Sequence, residues 1–347
     1  MNKSQLQLSA CAHQFYPADV FFCVLWGDGE DCISLHPERP IIGEWGISQS
    51  LSYDIAETKS VPTILDMVWL SVIEEKTYSV EHSINKAMLA TLLDQIPNSI
   101  DSLLVGIAPY GRVALWALGK HKSTLLGWYM GNECEVEPRD FYNIDFDVSF
   151  SEVCQNYIDN NHAVKINFEK NGLPSHDLFD NYMKRFVYRY QLTFGNWDEG
   201  KRTWISYDTE KCELIPELEF IEEILFDGTF DKLHDGELMK YHEAGKPKKL
   251  ALKWHIKRSD YSAYFWFDDE KMCSIFERFY GAHPNTKTDF IIRIDAEKRK
   301  YELALYRYGL KEPQLIPEDV YQLLVFKNKF EDYRSDNYNQ ERGAWIW

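Results

Sequence analysis

Two histidines and the carboxylates around them form the most metal-like group in the sequence. His234 and Glu237 are followed by His242, eight residues after the first histidine. Imidazoles at that spacing lie about 80° apart around a helix, so one metal ion could be reached only with strain. The His-Glu-x-x-His spacing of zinc hydrolases is absent from the sequence. The sequence therefore predicts no metal ligands.

Neighbouring carboxylates are the other groups that could do acid–base chemistry. Glu74 and Glu75 are adjacent, as are Asp268 and Asp269. Adjacent residues on a strand point to opposite faces and cannot share a proton, and a helix cap explains Asp268 more simply. The sequence contains no Gly-x-Gly-x-x-Gly, Gly-x4-Gly-Lys-Ser/Thr or Gly-x-Ser-x-Gly motif. We expect no catalytic residue and no cofactor.

Negative charge is the strongest compositional signal. The chain has 38 Lys and Arg against 55 Asp and Glu, a net charge of −17, and residues 1–150 hold 9 of the former and 20 of the latter. Such a chain is repelled by nucleic-acid phosphates and anionic lipids, so the expected partner is a protein, and a basic one fits best. The predicted partner-binding carboxylates are Glu133, Glu135, Glu137 and Asp140.

The C-terminal segment adds two aromatic candidates for partner binding. Trp345 and Trp347 lie close to the end of the sequence. Exposing two indoles to water is costly, so we expect them to dock on the body of the protein or on its partner.

The seven cysteines are scattered and include no Cys-x-x-Cys pair, which favours buried thiols over a zinc or redox site. Cys11 is an exception, because it follows Leu8-Ser9-Ala10 in the manner of a lipoprotein cleavage site. Two locations are therefore open: cytoplasmic, as the sequence is written, or a periplasmic lipoprotein if Cys11 is lipidated.

Strand-like and helix-like segments predict the organisation of the chain. Residues 1–132 and 185–347 alternate strand patterns with single helices, capped by Ser83 and Asp268, whereas residues 133–184 have helical spacing of apolar residues. The predicted fold class is α+β, with two related domains, each a mainly antiparallel β-sheet with a covering helix, joined by a helical connector. The longest apolar runs fall far short of the roughly 20 residues of a transmembrane helix.

A repeated strand suggests that the two halves are related. Pro62 precedes Trp69 by seven residues, and Pro247 precedes Trp254 by the same spacing, 185 residues later. Ser83 and Asp268 follow at the same offset. Small changes in offset along the chain favour an internal duplication, although two α+β domains of similar size can also coincide by chance.

Several segments resemble a bacterial family of unknown function whose members are mostly small lipoproteins. The resemblance is carried by residues 61–71, 75–78, 105–116, 173–190 and 267–276. Genes of that family often lie beside those of type VI secretion phospholipase effectors, which implies an immunity role. The resemblance implies no functional residues.

Together these observations predict a non-enzymatic immunity protein that neutralises a secreted, lipase-like toxin by stoichiometric binding. Two alternatives remain open at this point. One is a hydrolase with an active site that no motif reveals, and the other is a structural component of the cell envelope. A catalytic group of residues in a cleft would favour the hydrolase, and a broad acidic face without one would favour binding.

Overall fold

The computed structural model describes residues 4–29, 31–35, 40–48, 56–58, 60–95, 100–143, 147–198, 200–201, 203–206, 217–256, 259–281, 283–295 and 300–329. The chain divides into two compact units. Unit 1 comprises residues 1–183 and 227–230, and unit 2 comprises residues 184–226 and 231–347. Antiparallel β-sheets dominate and a few helices accompany them, as expected. None of the helices in the described ranges is long and apolar enough to span a bilayer.

Unit 1 contains two sheets. Its strands are β1 (Ser4–Ala12), β2 (Ala18–Trp26), β3 (Cys32–Leu35), β4 (Ala56–Thr58), β5 (Ile64–Ser71), β6 (Lys76–Ser83), β7 (Ile100–Ala108), β8 (Arg112–Gly119), β9 (Ser123–Met130) and β10 (Asn132–Glu133). Its helices are α1 (Lys86–Gln95), α2 (Pro138–Tyr142), α3 (Phe150–Asn160), α4 (His162–Asn171) and α5 (Leu178–Tyr182). Sheet I has the order β4-β1-β7-β8-β9, and sheet II has the order β10-β6-β5-β2-β3.

Alternating apolar residues bring the two sheets of unit 1 together over one core. Leu8 and Val105 of sheet I share this core with Met67 and Trp69 of sheet II, and all four are fully buried. β1 and β7 pair in parallel, with Leu8 opposite Leu103. The prediction of a single sheet in the first half is therefore wrong, because the apolar face of each sheet is covered by the apolar face of the other.

Sheet I is buried on both faces. Its outer face carries Trp116, which packs edge-on against Trp45 with ring centroids 5.1 Å apart, and Trp45 in turn meets Phe179 of α5 at 5.1 Å. Gly106 makes this packing possible, because a Cβ there would lie 2.4 Å from the Trp116 ring. The segment predicted to be a helical connector thus supplies an aromatic cover for sheet I.

A short stretch from later in the chain completes unit 1. Within residues 227–230, the carbonyl of Asp227 accepts a hydrogen bond from Trp116 Nε1 at 3.1 Å. The amide of Phe230 donates to the Ser123 hydroxyl at 2.8 Å. Buried polar groups of β8 and β9 therefore depend on residues about 100 positions downstream.

Unit 2 also contains two sheets. Its strands are β11 (Phe186–Asp198), β12 (Thr203–Ser206), β13 (Glu217–Leu225), β14 (Phe230–Leu233), β15 (His242–Ala244), β16 (Pro247–Ile256), β17 (Ser259–Phe267), β18 (Thr288–Asp295), β19 (Lys300–Arg307), β20 (Gln314–Ile316) and β21 (Tyr321–Lys329). Its helices are α6 (Asp235–Leu238) and α7 (Asp269–Tyr280), with a 3₁₀ turn at Glu318–Val320. Sheet III has the order β12-β11-β18-β19-β20, with β15 also on β11, and sheet IV has the order β14-β13-β16-β17-β21.

The strand orders of the two units correspond. β11 and β18 are parallel, as are β1 and β7, and each pair continues into an antiparallel meander. Trp69 on β5 stacks on Tyr78 of β6 at 5.7 Å, and Trp254 on β16 stacks on Tyr261 of β17 at 5.5 Å. In both cases the stacked residues are direct cross-strand partners.

Helix caps only partly follow the sequence prediction. Asp268 caps α7 by accepting a hydrogen bond from the Lys271 amide, as predicted. Ser83 instead ends β6 opposite Ile64, and the cap of α1 is Asn85, which accepts from the Met88 amide at 3.0 Å. The predicted Ser83 cap is wrong because the strand continues through that residue.

Other local features differ from what the sequence indicates. Gly195-Asn196 has the composition of a turn, but β11 continues through it, because both residues pair with β12. Glu74 and Glu75 lie in the turn between β5 and β6 and not on a strand. Strands β13 and β14 were not predicted.

Cys11 occupies the middle of a buried strand. It lies opposite Gly106 in the parallel pair, and its side chain is fully buried. Cleavage before Cys11 would remove Leu6 and Leu8, which are also core residues. A lipid at Cys11 would require this residue to leave the strand, and lipidation there stays a prediction.

The other described cysteines behave as small apolar residues or surface thiols. None of the six in the described ranges forms a disulfide. Burial raises the pKa of the Cys23 thiol to about 12 and that of Cys273 to about 11. At neutral pH these thiols are protonated and unreactive.

Candidate functional site

The predicted acidic residues form an exposed segment of unit 1. Glu133, Glu135, Glu137 and Asp140, here called the acidic segment, are all exposed. Trp345 and Trp347 lie outside the described residues.

Strand pairing joins the acidic segment to the start of β6. Glu133 lies opposite Tyr78 in the β10–β6 pair, and its carboxylate binds Lys76 Nζ at 2.7 Å. The side chains of Lys76 and Glu133 are each about half exposed. The acidic segment therefore begins at the rim of a cleft.

The cleft is formed where two turns of unit 1 meet the segment after α4. It has a volume of about 550 Å³, within the range of roughly 300–1,000 Å³ usual for ligand pockets. It is lined by Ile73, Glu74, Glu75, Lys76, Tyr78, Tyr110, Glu133, Leu173 and His176.

Glu74 is fixed at the base of this cleft by three donors. Its Oε2 accepts from the Ser71 hydroxyl at 2.6 Å and from the Tyr110 amide at 2.9 Å, and its Oε1 accepts from the Tyr78 hydroxyl at 3.0 Å. Burial and the negative charge of Glu74 raise the pKa of both phenols. Glu74 thus ties the β5–β6 turn to the β7–β8 turn.

Tyr110 links these turns to the chain after α4. Its ring stacks on His176 with centroids 3.7 Å apart, and its hydroxyl donates to the Pro174 carbonyl at 2.7 Å. Tyr110 and Gly111 both have positive φ, +63° and +73°, the pattern of a tight hairpin turn. The turn conformation therefore decides where the phenol points.

A charged pair lies beside the Tyr110 turn, with the Arg112 guanidinium carbon 6.0 Å from the Tyr110 ring centroid. Arg112 Nε donates to Asp180 Oδ1 at 2.9 Å, Arg112 Nη2 also donates to Asp180 Oδ2, and Trp128 Nε1 donates to Asp180 Oδ1 at 3.2 Å. The hydrogen bonds from Arg112 hold the pKa of the Asp180 carboxyl below its usual range, and Asp180 raises the pKa of Arg112. This pair joins β8 to α5.

The sequence prediction missed these arrangements. It set Glu74 aside as a strand residue, and it gave no role to Arg112 or Asp180, which are 68 positions apart. The Pro109-Tyr110-Gly111 turn was the one available signal, because a tyrosine beside a glycine in a tight turn presents its ring at a hairpin tip.

The histidines singled out in the sequence do not form a metal site. His234 Nδ1 lies 3.3 Å from the Glu219 carbonyl, and His242 Nε2 lies 3.9 Å from a carboxylate oxygen of the buried Glu223. Across the ranges that the structure describes, no group of three or more His, Cys, Asp or Glu side chains could hold a metal ion.

Residues 5–175 match a protein family of unknown function. The description of that family is "Protein of unknown function (DUF2931)". The matched range includes the acidic segment and eight of the nine cleft residues, and His176 lies one position beyond it. No curated protein and no solved structure matches the chain.

Proposed function

We propose that this chain is a non-enzymatic immunity protein that neutralises a secreted, lipase-like toxin of a type VI secretion system by stoichiometric binding. The observation that carries the proposal is the acidic segment, which places four exposed carboxylates within eight residues beside a cleft. Such a surface attracts a positively charged protein and can raise its association rate by 10- to 1000-fold or so.

The hydrogen bonds in the cleft support binding over catalysis. A general base needs a lone pair that a substrate can reach, and the Glu74 carboxylate already uses three of its roughly four lone-pair sites for hydrogen bonds within the protein. Ser71, whose hydroxyl donates a hydrogen bond to Glu74, is buried, so a substrate cannot reach it as a nucleophile. These groups are arranged to hold the turns in place.

The proposal includes an internal duplication. Matching strand orders, the parallel pairs β1–β7 and β11–β18, and the stacked Trp–Tyr pairs of β5–β6 and β16–β17 support it. The shared Pro-x6-Trp spacing at Pro62 and Pro247 falls on these same strands or at their edge.

The proposed compartment is the cytoplasm. Six described cysteines are thiols, and the buried position of Cys11 supports a chain that carries no lipid at that residue. Cell fractionation tests this proposal, and recovery of the native protein in the periplasm would contradict it.

Co-expression with the effector encoded beside the gene tests the function. Cells that make the effector should survive when they also make this protein, and the two purified proteins should form a complex of fixed stoichiometry. The purified chain alone should hydrolyse no ester or phospholipid. Equal killing with and without the protein would remove the immunity proposal and return the question to a hydrolase or an envelope component.

Charge reversal in the acidic segment tests the steering argument. Replacing Glu135, Glu137 and Asp140 by lysine should lower the rate of association with the effector at least tenfold at low salt. The difference from wild type should shrink near 0.15 M salt, where the Debye length is about 8 Å. Glu133 is left in place because it holds Lys76. The matched control reverses three exposed carboxylates elsewhere, Glu81, Glu169 and Glu312, and changes the net charge equally. Equal slowing in both triple variants would show that overall charge, and not this segment, guides the partner.

A further inference from the structure

Negative charge outweighs positive charge in the cleft of unit 1. Three of its nine lining residues are glutamates and one is a lysine, a net charge of −2 when His176 is neutral. Glu74 is satisfied by its three donors, and Glu133 is paired with Lys76. Glu75 carries the remaining charge, and among the described residues it has no hydrogen-bond or ion-pair partner.

Glu75 is held in an unusual backbone conformation. Its φ is +56°, a left-handed value that costs a residue with a side chain on the order of 1–2 kcal/mol and that glycine or asparagine would adopt more easily. Tyr110, which lines the same cleft, also has a positive φ. The turn therefore exposes the Glu75 carboxylate without an ion-pair partner in the described part of the chain, at a position where glycine or asparagine would make the folded state more stable.

An apolar wall lies beside these carboxylates. Ile73 is buried in the same turn, whereas Leu173 lines the cleft with 45% of its surface exposed. A group that binds in this cleft must therefore have an apolar portion and a positively charged end. Lysine and arginine side chains have this composition, with an aliphatic stem and a charged head.

We propose that this cleft binds a basic side chain, lysine or arginine, of the protein partner, with its stem against Leu173 and its cationic head between Glu75 and Glu133. The site deepens the proposed function and rests on it for the identity of the partner as a protein. Glu133 belongs to both the cleft and the acidic segment, so the surface that attracts a basic partner leads directly to this site.

A labelled peptide tests the site without the natural partner. The probe is a fluorescent peptide with two arginines in a glycine-serine background, and the matched probe replaces both arginines with citrulline, which is similar in shape and uncharged. Fluorescence anisotropy at low salt should show at least tenfold weaker binding of the citrulline peptide to the full-length protein. A lysine peptide should bind within a few fold of the arginine peptide.

Variants of the turn separate the site from the overall charge. Glu75→Asn and Glu75→Gly should weaken binding of the arginine peptide about fivefold, the loss of one partly exposed ion pair, while both raise the melting temperature by relieving the left-handed strain. Leu173→Ser should also weaken binding. Glu81→Gln removes an exposed carboxylate from β6 and should leave the dissociation constant unchanged.

Several results would overturn the inference. These are equal weakening in the Glu75→Asn and Glu81→Gln proteins, unchanged binding in Glu75→Gly, or tighter binding of free spermidine than of the peptides. If the wild type protects cells but the peptide does not bind, the cleft inference fails and the immunity proposal stands. If the peptide binds at Glu75 but cells are not protected, the immunity proposal fails and the cation site stands.

Discussion

The ion pair between Arg112 and Asp180 is buried on one side only, which predicts unequal costs for removing its two members. Arg112 is 6% exposed, whereas the Asp180 side chain is 40% exposed. Asp180→Asn would place an amide donor against Arg112 Nη2 and leave the buried guanidinium without its main counter-charge. Breaking a fully buried pair in this way costs about 3–5 kcal/mol of unfolding free energy. We expect about 2 kcal/mol here, because the pair is partly exposed at Asp180 and because the negative charges of Glu74 and Asp177 still act on Arg112. Arg112→Met leaves a carboxylate that water can reach and keeps the packing of the stem, so we expect about 1 kcal/mol.

Urea unfolding followed by tryptophan fluorescence measures both costs. The control is Glu277→Gln, which breaks the exposed pair with Lys184 in unit 2 and should change the unfolding free energy by less than about 0.5 kcal/mol. The Asp180 carboxyl has a lowered pKa in the folded state, so its stabilisation is complete above the unfolded pKa of about 3.9 and is lost as the pH falls through the folded value. The difference between wild type and Asp180→Asn should therefore stay constant from pH 7 to 5 and shrink below about pH 4. A larger cost for Arg112→Met than for Asp180→Asn would refute the reasoning.

Three further predictions concern the fold. Asn85→Ala should lower the unfolding free energy, measured by urea titration, by about 1 kcal/mol because it removes the cap of α1. Ser83→Ala should change it by less than about 0.5 kcal/mol. Equal effects of the two substitutions would contradict the assigned cap. Gly106→Ala should cost about 1–3 kcal/mol because its methyl group would overlap the indole behind it, whereas Gly236→Ala, which meets open space, should be neutral or slightly stabilising by calorimetry. Exposed Cys32 should react with a thiol reagent before the buried cysteines, which mass spectrometry would resolve; early labelling of the core thiols would contradict their burial.

Local patterns predicted the strands that have apolar alternation and clear turns. β5, β6 and the β7–β9 meander follow from their own residues, and Asp268 was recognisable as a cap because its side chain accepts at the start of an amphipathic helix. Ser83 and Asn85 are equally good capping types. Only the pairing of Ser83 with Ile64 across the sheet decides between them.

Long-range pairing could not be predicted from one sequence. β13 contains four glutamates in nine residues and resembles an exposed segment, yet it pairs along its length with β16. The cleft likewise depends on contacts between distant positions: Tyr110 meets His176, and Glu74 receives the Tyr110 amide. The acidic segment was predictable because charge is local information, whereas the cleft beside it was not.

The four residues 227–230 also determine the order in which parts of this chain can fold during translation. Trp116 and Ser123 receive their partners from Asp227 and Phe230, so a nascent chain that has emerged only to residue 183 has all the strands of unit 1 but an incomplete outer layer. Translation at about 5–20 residues per second imposes a wait of a few seconds before that layer can close. For the same reason, a cut between residues 183 and 184 does not release unit 1 intact. Separating the units for expression requires a variant in which residues 227–230 are returned to unit 1 by a linker.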